Sequence, residues 1–179
     1  VSGRHVNSVR DLHLEQNFPC DYFVGSNGAV ILNANNEVVH AECCDMDMLV
    51  PLIKYLYELG CPVGLVHSVD FFDVFPSEES RAGLDRDYSG TYYTLDTIPQ
   101  LPYYTQVSTW RPTEAEAAAV AAKVREQFGA YFNPMQNGLN IDIVRADVNK
   151  AKGLYRLMEL LGAKYDDVIT VGDNVNDYD

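Results

Sequence analysis

The chain has 179 residues with 13 Lys and Arg against 26 Asp and Glu, a formal charge of −13 and a sequence pI near 4.5. That acid excess argues against nucleic-acid and anionic-membrane partners. A hydrophobic fraction of 47% with 22% charged residues is globular composition and excludes disorder as the main state. No apolar run approaches the roughly 20 residues that cross a bilayer, and the opening residues do not read as a secretory signal. Cys20, Cys43, Cys44 and Cys61 form no C-x-x-C pair, so they read as reduced thiols in a cytoplasmic protein rather than a zinc clamp or disulfide framework. A chain that starts at Val1 and stops at Asp179 inside an unfinished motif is expected to be an internal piece of a longer protein.

Ser2-Gly3-Arg4 heads a helical stretch carrying Val6, Val9 and Leu12. A hydroxyl and backbone N–H groups at a helix N-terminus make a natural anion site. From Asp21 short β segments follow, with Asn27-Gly28-Ala29 a turn by local logic. The Asn33-Ala34-Asn35-Asn36 cluster supplies the turn of a hairpin between Val30-Ile31-Leu32 and Val38-Val39. Leu49, Leu52, Ile53 and Leu56 recur at helical spacing, with Asp45 or Asp47 as N-cap, Pro51 near the first turn and Gly60 past the end. PVGLVHSVDFFDVF, TYYTL and YYTQVSTW are rich in the Val, Tyr, Phe and Thr that favour strands. Thr113-x-x-Glu116 is a capping box opening an alanine-rich helix to Phe128, closed by Gly129. LNIDIV alternates as a strand. Leu154, Leu157, Met158 and Leu161 then make a helical face ended by Gly162, and Val168–Val171 reads as a buried strand running into Gly172-Asp173. Helix, loop, strand and acidic turn is the rhythm of an α/β parallel sheet.

Ligands of open α/β sheets sit outside the carboxyl ends of strands, so Asp173 in GDNVND is expected to project into a crevice. A carboxylate there suits Mg²⁺, which prefers oxygen ligands and one or two carboxylates. The same six residues also read as a plain polar turn. A calcium loop fits worse, since counting from Asp173 puts Val175 at position three and Tyr178 where the turn glycine belongs. Lys150, within VNKAKGL, carries a compact charge suited to a phosphoryl group beside a carboxylate, and a solvated surface lysine is its other reading.

In order, these pieces resemble the haloacid dehalogenase superfamily of phosphatases, specifically its Cof-type members. VSGRHVNSVRDL is similar to the family's T/S-G-R segment, SNGAVI to its NGA element, and NKAKGLYRLMELLGAKYDDVITVGDNVND to its lysine and G-D-x-x-N-D motifs. The resemblance implies an α/β fold with a Rossmann-like parallel-sheet core, incomplete here, at 1–31 and 147–179, around an inserted α/β cap at 32–146. It implies that Ser2, Gly3, Arg4 and Asn27 bind phosphate, with Ser2 and Lys150 catalytic. Lys150 rather than Lys152 keeps the K-x-x-G register. Asp173, Asn176 and Asp177 are implied to hold Mg²⁺. Family members begin with a strand ending in D-x-D, whose first Asp attacks phosphorus. No apolar strand ending in that catalytic pair is found in this chain.

The expected function is a Mg²⁺-dependent phosphomonoester hydrolase acting on a small phosphorylated metabolite, through an aspartyl-phosphate whose nucleophile lies outside the chain. The 179 residues alone are expected to be inactive. The alternatives are a non-catalytic binding module, or a phosphomutase or phosphotransferase on the same scaffold. Neither a nucleic acid nor a membrane is expected as partner, and oligomeric state is left open. Phe71, Phe72, Phe75, Tyr92, Tyr93, Tyr103, Tyr104 and Trp110 suit sugar stacking, although sheet packing is the commoner use. His67, Asp70 and Asp73 read as a solvated edge. His5, His13 and His40 show no metal-ligand spacing.

Overall fold

The computed structural model describes residues 1–17, 19–67, 70–79, 91–98 and 104–171. The chain divides into two compact units, Val1–Glu42 with Val148–Asp179, and Cys43–Asp147. The first passage falls beyond residue 31 because the strand after Asn36 pairs with the strand before it and stays in the first unit.

In the first unit, α1 (Val6–Gln16) buries Val6 against Gly25, where a Cβ would lie 2.5 Å from the Val6 Cα. Leu12 is exposed, so the Val6, Val9, Leu12 face is covered only at its start. Strands β1 (Tyr22–Gly25), β2 (Val30–Asn33) and β3 (Val38–Ala41) form an antiparallel meander. Its second turn works as the asparagines suggest. Asn33 Oδ1 accepts the N–H groups of Asn35 and Glu37, and Asn36 adopts a left-handed φ of 64°.

The first unit's second helix is Lys150–Leu161, labelled α4 below, in chain order. Asn149 caps it by accepting the Lys152 N–H at 2.8 Å, and left-handed Gly162 ends it. Met158 is buried and Leu154 and Leu157 half-buried, whereas Leu161 is exposed.

One expectation is overturned. Val168–Val171 is not a strand: it joins no ladder, and Ile169 and Val171 are 94% and 96% exposed. An apolar run becomes a buried strand only when neighbouring strands take its N–H and C=O groups. Among the described residues none pairs with it.

The second unit is a six-stranded mixed sheet in the order β6-β5-β4-β7-β9-β8, formed by β4 (Val63–His67), β5 (Asp70–Phe75), β6 (Tyr92–Thr94), β7 (Tyr104–Trp110), β8 (Phe132–Asn137) and β9 (Asn140–Arg145). Its pairs are antiparallel except β5 with β6, which run parallel. Helices α2 (Met46–Glu58) and α3 (Glu114–Phe128) cover one face. Leu49, Leu52, Ile53 and Leu56 join Leu65, Val107, Ala117, Val124, Ile141 and Ile143 in the core.

Asp45 is the α2 cap, accepting the Asp47 N–H, and Pro51 sits inside the helix on its exposed side. At the other end the Cys61 N–H bonds the Leu56 carbonyl and the Gly60 N–H that of Tyr57, closing the helix as a Schellman turn around left-handed Gly60. The capping box of Thr113 and Glu116 forms as read. Gly129 closes α3 in a right-handed conformation, so its left-handed freedom is unused.

Strand β8 escapes a reading by composition because FNPMQN contains a proline. Pro134 is tolerated because β8 is the sheet's edge, where a missing N–H costs no ladder bond.

Candidate active site

The positions expected to bind phosphate meet at one turn of the first unit. The Ser2 N–H bonds the Val24 carbonyl at 2.9 Å, so the chain around Ser2 lies along the end of β1. Beyond β1, Ser26, Asn27 and Gly28 take φ values of 49°, 55° and 101° in succession. Left-handed backbone at two consecutive non-glycine residues is uncommon, and such outliers collect at functional sites.

This turn grips the Ser2–Arg4 segment. The Ser26 N–H donates to the Arg4 carbonyl at 2.8 Å and the Asn27 N–H to the Ser2 carbonyl at 3.0 Å. Ser2 Oγ accepts the Arg4 N–H at 3.1 Å, which leaves its own proton to donate. Asn27 is buried, and a Cβ on Gly3 would lie 2.9 Å from its Oδ1, so glycine is the residue that fits there. Arg4 is exposed.

The far side of the same turn meets the start of α4. A Cβ on Gly28 would collide with the Asn149 carbonyl oxygen, and one on Gly153 would lie 2.5 Å from the Gly28 Cα. Two glycines back to back let turn and helix touch backbone to backbone. Gly153 stands three residues after Lys150, so the K-x-x-G register is the spacing that seats the lysine's own helical turn on Gly28. Lys150 is half-buried there and Lys152 exposed. Local reasoning missed this bracket, because Asn27-Gly28 looks like any turn until its partners are known. The signal was the glycine in each of two distant motifs.

Asp173, Asn176 and Asp177, with Gly172, lie outside the described residues. Among the described residues, no group of three or more His, Cys, Asp or Glu side chains is placed to hold a metal ion. Tyr103 also lies outside the described residues.

Cys44 and Cys61 offer no nucleophile. Burial, with a smaller contribution from neighbouring Cys43, pushes the Cys44 thiol up to about 12, and burial raises Cys61 as well. A thiol so shifted is protonated at neutral pH and unreactive. None of the four cysteines forms a disulfide.

Several aromatic residues of the second unit pack on one another, whereas Phe71 and Trp110 are exposed. Phe72 stacks edge-on with Tyr93 at 4.7 Å and with Tyr104 at 5.9 Å, and Phe75 meets Tyr92 at 5.8 Å. His67 meets Tyr104 at 5.6 Å and stands 4.0 Å from Asp70. In the first unit His40 lies between Glu42, at 3.0 Å, and the Arg156 guanidinium, which donates to its Nδ1 at 3.3 Å.

A family model for haloacid dehalogenase-like hydrolases matches residues 1–179. The chain belongs to that family. An uncharacterized protein of Mycoplasma capricolum is 23% identical over 191 residues, covering 98% of this chain and 69% of that protein. Among solved structures, a haloacid dehalogenase-like hydrolase from B. subtilis superposes with a TM-score of 0.75 at 15% identity, covering 99% of this chain and 71% of that one. TM0651 from Thermotoga maritima gives 0.73 at 18%, covering 98% and 67%. The subclass IIB sugar phosphatase BT4131 gives 0.71 at 16%, covering 98% and 66%. At these identities the likeness is one of fold, and the α/β class follows from it. The chain spans about two thirds of the length of these relatives.

Proposed function

We propose that the complete protein is a phosphomonoester hydrolase that cleaves a small phosphorylated metabolite, a sugar phosphate or similar, in the cytoplasm. The observation that carries this reading is the Ser26–Gly28 turn, which joins the Ser2 segment to the Lys150 turn of α4 within one unit. In a family of hydrolases, a hydroxyl donor and an ammonium brought to one turn suit the oxygens of a phosphoryl group. The sugar phosphatase among the fold neighbours supports the substrate class, and four cysteines outside any disulfide support a reducing compartment.

In this reading the first carboxylate of a D-x-D pair, outside these residues, forms a bond to phosphorus as the ester P–O bond breaks. The second carboxyl gives its proton to the leaving oxygen. Water then gives a proton to the second carboxylate and attacks the acyl phosphate, releasing inorganic phosphate and restoring both carboxyl groups. Ser2 donates a hydrogen bond to a phosphoryl oxygen, and Lys150 offsets its charge. Asp173, supported by Asn176 and Asp177, would hold Mg²⁺, which supplies charge neutralisation at the phosphoryl oxygens when bound.

The test is phosphate release by the full-length protein with Mg²⁺ on a panel of sugar phosphates and an aryl phosphate. Saturable turnover lost in Asp173→Asn is expected. Absence of phosphate release across the panel would overturn the reading, and phosphate moved to a second acceptor without release would make the protein a phosphotransferase.

A further inference from the structure

His40 on β3 is half-buried, and both of its ring nitrogens are engaged. Nε2 lies 3.0 Å from Glu42 Oε1, and Nδ1 lies 3.3 Å from Arg156 Nε, which donates to it from α4. The second contact fixes where the imidazole proton is. A guanidinium has N–H donors and no acceptor, so Nδ1 can meet it only with its lone pair. The proton of the neutral ring is therefore on Nε2, where it is donated to the Glu42 carboxylate. Glu42, His40 and Arg156 thus form one hydrogen-bonded chain from the end of β3 to α4, and that chain exists only while the ring is neutral.

The chain bears on the candidate site through the helix it reaches. Gly153 and Arg156 are one turn apart on one side of α4, so Gly153 seats one turn on Gly28 and Arg156 ties the next to His40. Facing His40, the end of β3 contributes Glu42 and β2 contributes uncharged Ile31 as the cross-strand partner. From α4 come Arg156, Glu159 at 2.9 Å from Arg156 Nη1, and exposed Lys152 one turn before Arg156. A second proton on the ring occupies Nδ1 and sets it against the Arg156 N–H, two donors with no acceptor. Arg156 then keeps Glu159 on its own helix and lets go of β3. Imidazole is the side chain that ordinarily changes charge between about pH 5 and 8.

We propose that His40 is a pH-sensitive positioning residue: neutral, it holds α4 to β3 through Arg156, and protonated, it releases the helical turn that follows Gly153. The contact is present at the basic end of the range and is lost as pH falls. Its consequence for catalysis rests on the hydrolase reading, because the helix so released is the one that carries Lys150. The contact itself does not rest on that reading.

The test follows the ring nitrogens of His40 and the guanidinium nitrogen of Arg156 in ¹⁵N-labelled full-length protein as pH is lowered from about 8 to about 5. At the basic end the ring is expected as the Nε2–H tautomer, and the Arg156 Nε signal should move with the same midpoint as His40. A ring carrying its proton on Nδ1, or an Arg156 signal that does not follow the His40 titration, would overturn the proposal. The second arm is phosphate release with Mg²⁺. His40→Asn keeps an acceptor oxygen near the place of Nδ1 and does not titrate, so it is the reference. Relative to it, wild-type kcat should fall about threefold across the same range with KM little changed, the low end for one hydrogen bond because Arg156 is exposed. His40→Leu, which offers no acceptor, should be reduced at both ends. A ratio of wild type to His40→Asn that stays level would break the link from His40 to Lys150. Absence of phosphate release on every substrate would sink the hydrolase reading alone, since the nitrogen titration decides the contact by itself.

Discussion

Lys150 and Lys152 stand two residues apart at the start of α4. Lys150 is half-buried on the turn seated against Gly28, and Lys152 is exposed, its backbone N–H taken by the Asn149 cap. In the proposed hydrolase, only the first would be held where a fixed charge helps a transferring phosphoryl group. Lys150→Ala in the complete protein should lower turnover on the order of 10²–10³, the usual loss of one preorganised charge-stabilising donor, and Lys152→Ala much less. Comparable losses in a phosphate-release assay would show that the register is wrong. Thiol chemistry separates residues in the same way. Cys44 and Cys61 are buried with raised pKa, whereas Cys20 and Cys43 are partly exposed. At pH 8 a thiol reagent should modify Cys20 and Cys43 in the native protein and reach Cys44 and Cys61 only on unfolding. Fast labelling of Cys44, read by peptide mass, would contradict its burial.

At the scale of elements, the contact of Gly28 with Gly153 joins a turn to a helix through backbone alone. Gly153→Ala should cost about 1–3 kcal/mol, the range for forcing an extra methyl into a filled site, because the new Cβ meets the Gly28 Cα and carbonyl rather than a side chain able to move. The same variant should lower kcat more than it raises KM, since it displaces the turn bearing Lys150. A change in denaturation midpoint with kcat untouched would make the contact purely structural. Elements whose cause is local were legible in the sequence. The Asn33–Asn36 turn, the Asp45 and Thr113 caps and the Leu49, Leu52, Ile53, Leu56 face are decided by residues a few positions apart. Elements whose cause is distant were not. Val168–Val171 has strand composition, but a strand needs a neighbour. Strand β8 has poor strand composition but acquires a neighbour in β9. The Gly28–Gly153 bracket lies outside any window of local pattern, and the contact of His40 with Arg156 appears only once β3 and α4 are brought together.

The whole molecule divides so that the second unit holds the larger core, and this sets how the chain should come apart. Cys43–Asp147 contains the six-stranded sheet and both helices that cover its inner face. Excised as residues 43–147, it should unfold in one cooperative thermal transition. Adding 32–42 should contribute nothing, because β3 would arrive with only the end of β2 to pair against, and Val38 and Val39 are exposed even in the parent chain. The same unit should weaken in alkali. Burial raises Cys44 from the usual 9.0 to about 12 and Tyr104 from 10.0 to about 12, and it raises Tyr57 further, with Asp73 adding to that shift. For each group the folded state keeps a proton that the unfolded chain releases. Their stabilisation is therefore complete below about pH 9 and falls steadily as pH rises from 9 towards 12. Melting residues 43–147 across that window should give a midpoint that drops with pH, and Cys44→Ala should flatten the lower part of the slope, where the cysteine of the unfolded chain ionises first. A midpoint level from pH 9 to 12, or a broad non-cooperative melt at pH 7, would show that this core does not hold together without the rest of the chain in the way its packing implies.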